Sequence, residues 1–373
     1  MITITEIEAI PVRLDIRSLS EPLGIAPYVT TYTEFYNMER VLVRLDTDGD
    51  ITGWGEMRST LSTHSTKAVI ETDVADKLVG EPVSAVESLP ERFDSFQYFD
   101  IDPFLGGVEM AMWDAWGQYL GQPLYRLLGG KVREEIDVSF CLGVLEPEES
   151  REHARKALEH GFDVLKTKAG RDWRTDVERI VAMHDEVNGQ LEFRLDPNEG
   201  WTTEEAVRVA ASLEDEGIYL QYLEQPMRID NFGSFKRLRE RLRTPIAANE
   251  DMYFRHNLLE LIKQDAIDAG VIDMVPAGGL QAAKRLAGIA GDAGLSLSHH
   301  CAFDLGIKSA ALAHLVATTP AINLPPDSVY YAWDDHVIEE PFDLSDGSLP
   351  VPEKPGLGVT VDVSDVEEHR TDR

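Results

Sequence analysis

Two lysines two positions apart, Lys166 and Lys168, are followed by Asp196-Pro-Asn198, Glu224-Gln-Pro226 and Asn249-Glu250-Asp251, then by Asp273 and the pair His299-His300. Each group ends a short apolar run. Taken singly, each Asp or Glu would read as a solvated helix cap; repetition at successive run ends gives the set its weight. Together the groups suit removal of a proton from carbon beside a metal-bound carboxylate. A lysine held near other cations and partly desolvated has a lowered pKa and can act as a base. One carboxylate from each of three adjacent strands makes a hard oxygen site suited to Mg²⁺. Zinc is disfavoured, because the set lacks cysteine and clustered histidine. Asp196 and Glu224 supply two of the carboxylates. The third position falls among Asn249, Glu250 and Asp251, with Glu250 the leading candidate. An Asp on one strand can hold a His on its neighbour by a ring N–H, fixing the tautomer and raising basicity. Asp273 would do this for His300, or else for His299.

The elements that must position these groups follow from periodicity. In a strand, residues i and i+2 share a face. Lys166 and Lys168 therefore point into a barrel while Leu165 and Thr167 point to its helices; Arg194, Asp196 and Asn198 alternate in the same way. Candidate strands are 136–141, 163–168, 192–196, 219–224, 245–249, 268–273, 295–299 and 321–324. Amphipathic stretches at 149–159, 174–187, 203–215 and 280–291 lie between them. Eight strands separated by helices favour a closed parallel barrel. An open doubly wound sheet usually carries a Gly-rich phosphate turn after its first strand, and none follows residue 141. Ahead of the barrel, 3–12, 40–46 and 51–54 read as an antiparallel sheet, with Asp46-Thr-Asp-Gly49 as a turn. Residues 62–97 and 105–121 read as helical. The tail from Pro352 reads as a turn and a short last strand laid against the first domain.

The motifs resemble the enolase superfamily, and within it the mandelate racemase and acid-sugar dehydratase branch. The resemblance covers nearly the whole chain. It rests on Lys166-x-Lys168, Asp196-x-Asn198, Glu224-x-Pro226, Pro245-Ile-Ala-Ala-Asn-Glu250, Asp273 five residues before Gly278-Gly279, and His300 after the seventh strand. The muconate-cycloisomerase-like branch places a second lysine where this chain has Asp273. Two features depart from the family pattern. Asn249-Glu250 stands where Gly-Glu is usual, and glucarate-dehydratase-like members use an asparagine as third ligand near this place. The acidic group expected at the eighth strand has Asp327 as its candidate.

The resemblance implies a (β/α)8-type TIM barrel over 131–345, an α+β capping domain over 1–130, and a tail, 346–373, returning to the cap. It implies Mg²⁺ on Asp196, Glu224 and Glu250, with Lys166 neutralising charge on the substrate. Lys168 becomes the base on one face, and His300, oriented by Asp273, stands on the other. Asn198 and His299 fall to substrate contact. The leading reaction is dehydration of an acid sugar to a 2-keto-3-deoxy acid. The alternatives are racemisation or epimerisation of a 2-hydroxy acid, and a barrel kept only for binding. Specificity would come from cap loops near 16–35 and 55–64, with Arg17, Tyr28, Tyr32, Arg58 and His64. A homo-oligomer is expected by the same resemblance.

Composition bounds the partners. Asp and Glu number 67 against 35 Lys and Arg, for a formal charge of -32 over 373 residues. The acid is spread along the chain, and no basic patch exists to neutralise nucleic-acid phosphates. No apolar run reaches the length of a membrane span, and the first residues read as a strand instead of a signal peptide. Cys141 and Cys301 form no CxxC and read as free thiols, which suits a reducing cytoplasm. Such a charge repels itself at low salt, whereas the Debye length falls to about 3 Å near 1 M. A halophile's cytoplasmic protein is expected. Denaturation midpoints should climb steadily from low to high KCl; equal midpoints throughout would refute the halophilic reading.

Overall fold

The computed structural model describes residues 1–93, 101–344 and 346–373. Eight short strands form one sheet of parallel neighbours, in chain order Ser139–Leu142, Val164–Lys168, Glu192–Asp196, Tyr222–Glu224, Ile246–Ala248, Ala269–Ile272, Ser296–His299 and Asp327–Ser328. The last pairs with the first. The remaining gap is narrowed by a parallel bridge from Ile322 to Leu297, whose carbonyl accepts the N–H groups of Asn323 and Leu324 at 3.1 and 2.9 Å. The result is a nearly closed (β/α)8-type barrel. Its strands are buried almost throughout, on both faces. Cys141, Lys166, Arg194 and Tyr222 stand in one row across four strands.

The intervening helices carry their own start signals. Thr202 and Glu205 form a capping box at Thr203–Asp215, and the Asp172 side chain accepts from the Arg174 N–H ahead of Trp173–Glu186. Ahead of the barrel, Ile4–Asp15, Asn37–Thr47 and Thr52–Arg58 make a three-stranded antiparallel sheet. Helix Asp102–Leu120 lies on it at very close range. A Cβ on Gly55 would fall 1.9 Å from the Gly107 carbonyl oxygen, so only glycine permits the approach.

Buried carboxylates of this capping domain reach across to the barrel. Glu56 accepts the N–H groups of Leu305 and Lys308 at 2.8 and 2.9 Å, at the start of helix Gly306–Ala317. Glu109 accepts those of Leu280 and Gln281 at 2.8 and 3.1 Å, at the start of helix Leu280–Asp292. Asp114 joins Trp54 of the cap sheet to Leu357 of the tail through their N–H groups. Negative charge at a helix N-terminus satisfies free N–H groups and complements the helix dipole.

Several expectations need correction. The eighth paired strand is Asp327–Ser328, because 321–324 supplies only the single bridge at Ile322. The stretch 136–141 divides: Glu135–Asp137 leaves the barrel to pair antiparallel with Ser348–Pro350. Residues 62–97 are not one helix. Helical structure runs from Thr63 to Leu78, with a π-helical turn at Ile70–Val74, and resumes only at Leu89–Phe93. Residues 94–97 lie outside the described residues. The short strand expected at the end of the tail is a single antiparallel bridge from Val361 to Ile338, and an unforeseen helix, Val363–His369, follows it; beyond that helix Thr371 donates to the Pro11 carbonyl at 2.9 Å. Among the described residues no helix is long and apolar enough to cross a membrane.

His314, fully buried on helix Gly306–Ala317, ties three segments together. Its Nδ1 accepts from the Tyr125 N–H at 3.2 Å and its Nε2 donates to the Leu357 carbonyl at 3.1 Å. Burial pushes its pKa down to about 4. A histidine that binds its proton less readily when folded stabilises fully above its unfolded pKa of about 6.5, and that contribution fades as pH falls towards 4. His314→Gln does not titrate there. The wild-type advantage over this variant should therefore shrink by about 2–3 kcal/mol between pH 7 and pH 4 in paired urea titrations; a constant gap would mean that His314 titrates normally.

Candidate active site

The barrel's charged interior is built in two layers. In the lower one, Arg194 is fully buried, donates to Asp327 Oδ1 at 3.1 Å and to the Pro325 carbonyl at 2.8 Å, and lies 4.8 Å from the Tyr222 ring centre. Lys166 sits above it. Its Nζ lies 2.6 Å from Glu224 Oε1, 2.7 Å from Asp327 Oδ2 and 3.4 Å from Asp196 Oδ2. Burial opposes the Lys166 charge, yet Asp327, Glu224 and Asp196 together hold its pKa well above the lysine norm. Burial likewise opposes charge on Asp327, and Lys166 with Arg194 overcomes it, holding the carboxyl far below its usual range.

The upper layer holds Lys168, whose Nζ lies 2.5 Å from Asp196 Oδ2. Burial raises the pKa of Asp196, but Lys168 and Lys166 pull it below the norm, and its Oδ1 accepts the Asn198 N–H at 2.9 Å. Asn198 turns back with φ +43° and donates its side-chain N–H to Glu250 Oε1 at 3.1 Å. Burial pushes Glu224 up to about 8, and burial with Asp196 nearby pushes Glu250 up to about 7. Each of these two carboxylates keeps one buried oxygen, Oε2, without a hydrogen-bond partner.

The three residues at the fifth strand's end separate by partner. Asn249 donates to the Val271 carbonyl at 3.0 Å, within the barrel wall. Asp251 accepts from Gln225, Asn257 and the Asp230 N–H at 2.8, 2.7 and 3.0 Å, away from the lysines. Glu250 alone among them neighbours Asp196, Lys168 and Asn198.

Beyond the sixth strand, Asp273 Oδ2 lies 3.3 Å from His300 Nδ1. Burial pulls the His300 pKa down, partly offset by Asp273 and reinforced by Lys166. His299 departs from the expected substrate contact. Alternation turns it the other way, where its Nε2 accepts the Met274 N–H at 3.0 Å; it does not line the pocket, and burial pushes its pKa down to about 4. Lys308, which motif reasoning missed, stands 3.0 Å from Asp273 Oδ1. Its signal was present: it is the one Lys, Arg, Asp or Glu in Gly306–Ala317.

Lys166, Lys168, Asn198, His300 and Asp327 share a cavity of about 270 Å³. The cap closes it with Tyr28, Thr30, Tyr32, Thr33, Phe35, Met38 and Arg58; Phe303 and Val329 add apolar wall. Of the other cap residues, Arg17 pairs with Asp334 instead, and exposed His64 stands outside the lining. The cap loop is latched by Thr31, whose hydroxyl lies 2.7 and 2.5 Å from the carbonyl oxygens of Pro197 and Ala169 and shares its one proton between them. Cys141 and Cys301 also line the cavity as free thiols; burial pushes Cys141 up to about 12 and Cys301 well above its norm, so neither is a ready nucleophile.

Residues 149–366 match the family described as enolase C-terminal domain-like, more than half of the chain. The chain belongs to the enolase superfamily. Residues 13–129 match the mandelate racemase / muconate lactonizing enzyme N-terminal domain, which fixes the family within it. Enolase-superfamily relatives remove a proton α to a carboxylate with the help of Mg²⁺. An L-Ala-D/L-Glu epimerase of Bacillus subtilis is 29% identical over 361 residues, covering 93% of this chain and 96% of its own length. An arabinonate dehydratase of Saccharolobus solfataricus is 28% identical over 345 residues, covering 89% and 91%. The solved muconate lactonizing enzyme from Pseudomonas fluorescens, complexed with muconolactone, aligns with TM-score 0.91 at 27% identity over 99% of each chain.

The contrast at the fifth strand is testable in metal-free protein. Glu250→Gln removes a buried charge with one unpaired oxygen and should leave stability at pH 8 unchanged or higher. Asp251→Asn breaks a satisfied network and should cost about 2 kcal/mol. Urea midpoints in the opposite order would mean that Glu250, not Asp251, is the structural carboxylate.

Proposed function

We propose that this enolase-superfamily enzyme removes the α-proton of a small carboxylic acid and most readily completes a dehydration, giving a 2-keto-3-deoxy acid. The observation that carries the reading is that Lys168 and His300 line the same cavity, with His300 held through Nδ1 so that Nε2 is left for proton transfer. Lys168 takes the α-proton. Lys166, charged and anchored to the floor by Asp327, draws in the substrate carboxylate and balances the charge that grows on it. His300 delivers a proton to the departing β-hydroxyl as a general acid. Asn198 positions Glu250 and offers a hydrogen bond to the substrate.

Mg²⁺ fits the donor chemistry. Asp196, Glu224 and Glu250 are hard oxygen donors, and the buried unpaired Oε2 atoms of Glu224 and Glu250 call for a cation. Among the described residues no three acidic, His or Cys side chains are already gathered as a metal cluster. Lys166 and Lys168 take the intervening positions, so the lysines would yield oxygens to the ion. When bound, Mg²⁺ would supply Lewis-acid stabilisation of negative charge on the substrate carboxylate.

A second reading, 1,1-proton transfer by Lys168 and His300 on opposite faces, is favoured by the cavity lining. Phe35, Met38, Phe303 and Val329 offer little to a chain of hydroxyls. The epimerase relative points the same way. Exposed Arg58 at the rim is a fitting partner for a second polar or anionic substrate group in either case.

The experiment is a screen in high KCl with Mg²⁺ against mono- and diacid sugars, with keto acid detected by semicarbazide. A hit should fall by at least about 10³-fold in Lys168→Ala and His300→Ala. No keto acid, together with deuterium washed from solvent into recovered 2-hydroxy or N-acyl amino acids, would replace dehydration by racemisation or epimerisation. Absence of both activities in Mg²⁺-loaded protein would leave a binding barrel.

A further inference from the structure

Lys308 is fully buried in a helix made otherwise of Gly, Ala, Ser, Ile, Leu, Val and His. Burying an ammonium group is expensive unless it is paired, so its partners define its role. One is Asp273 Oδ1 at 3.0 Å, the other Asp304 Oδ1 at 2.9 Å. Asp273 thus divides its two oxygens between a buried ammonium and the His300 imidazole. The chain of contacts continues outward. Asp304 Oδ1 lies 3.2 Å from an Arg40 nitrogen, and Arg40 Nε lies 3.3 Å from Glu56 Oε1. Arg40 also donates to the Ala302 carbonyl at 2.6 Å, two residues past His300. Arg40 and Glu56 belong to the capping sheet, Lys308 and Asp304 to the barrel.

Asp304 alone would pair Lys308 if its role were only to fill the helix interior. The second contact, to Asp273, puts the ammonium on the far side of the carboxylate that orients His300. We propose that Lys308 is a positioning residue for His300, holding Asp273 by Oδ1 so that Oδ2 fixes the imidazole through Nδ1 and leaves Nε2 to the substrate. Arg40, Asp304 and Glu56 fix Lys308 in turn, so that docking of the cap sets the orientation of the proton-transfer group. The inference rests on the proposed proton transfer by His300. The charged or titratable groups facing the imidazole are Asp273, Lys166 and Lys168, with Asp327 and His299 close by. Lys308 is the cation that acts on it through Asp273.

The test reads the imidazole directly, without turnover. Histidine-ring NMR spectra of Mg²⁺-loaded enzyme in high KCl are recorded for wild type, Lys308→Met and Lys308→Arg, with the His300 signals assigned by His300→Gln. Wild type should show a single tautomer protonated at Nδ1. Lys308→Met should mix the tautomers and raise the His300 midpoint by about one pH unit, because the cation that competes for Asp273 is gone; Lys308→Arg should restore both. Unchanged tautomer and midpoint in folded Lys308→Met would overturn the proposal. If Lys308→Met does not fold, Asp304→Asn serves: it frees Lys308 on one side and should mix the tautomers, and a pure Nδ1 tautomer there would overturn the proposal as well. Inactivity of the wild type towards every acid would sink the proposed reaction and leave this result standing.

Discussion

Charge taken out of water is the constraint on which this structure turns. Asp196, Glu224 and Asp327 are fully buried around Lys166, and Asp196 also serves Lys168. None of these groups could be removed from water alone, since an isolated buried charge costs several kcal/mol. Each is tolerated because another strand, neighbouring or across the barrel, brings its counter-charge into the same interior. The barrel's closure, the inward alternation of its strands and the depth of the site are thus one requirement seen three ways. The surface, with its large excess of acid, meets the opposite condition: its charges face water and salt, where they interact weakly.

The barrel supplies chemistry and the cap supplies shape. Lys168 and His300, the pair proposed to move protons, stand at strand ends, held by Asp196 and Asp273 of the wall. Nearly all the aromatic and hydroxyl lining that meets the rest of the substrate comes from the cap loop latched by Thr31. This division lets the wall stay rigid while the reach of the pocket changes with a few loop residues.

Strand periodicity made the lysine pair, Asp196 and the barrel order legible, because alternation in a strand leaves one answer. The family motifs then carried the assignment of the superfamily. Legibility failed where the backbone leaves the strand. Asn249, Glu250 and Asp251 run into a 3-10 turn, Glu250–Tyr253, in which alternation no longer tells which side chain turns inward. Near the eighth strand two short segments compete for one edge, and an apolar run marked the one that only bridges. Lys308 went unread because a single charge in an apolar helix fits no motif; its meaning lies in Asp273 and Asp304, which the chain brings to it from elsewhere. The helical pattern before residue 97 was over-extended, since charged residues at 71–88 suit a turn as well as a helix.

The carboxylates by which the cap grips the barrel bear on how the protein is made. Glu56, Glu109 and Asp114 leave the ribosome in the first third of the chain, but their partners lie at Leu280 and Gln281, Leu305 and Lys308, and Leu357. Until those backbone groups exist, each acid has only its partners within the cap, among them Arg40 for Glu56, Trp113 for Glu109 and Trp54 for Asp114, and water must serve its remaining oxygens; in the finished fold burial pushes Glu109 and Asp114 up to about 7 and 6. Synthesis runs from cap to tail, and a nascent chain that ends before residue 280 lacks the backbone partners by which these carboxylates join the cap to the barrel and tail.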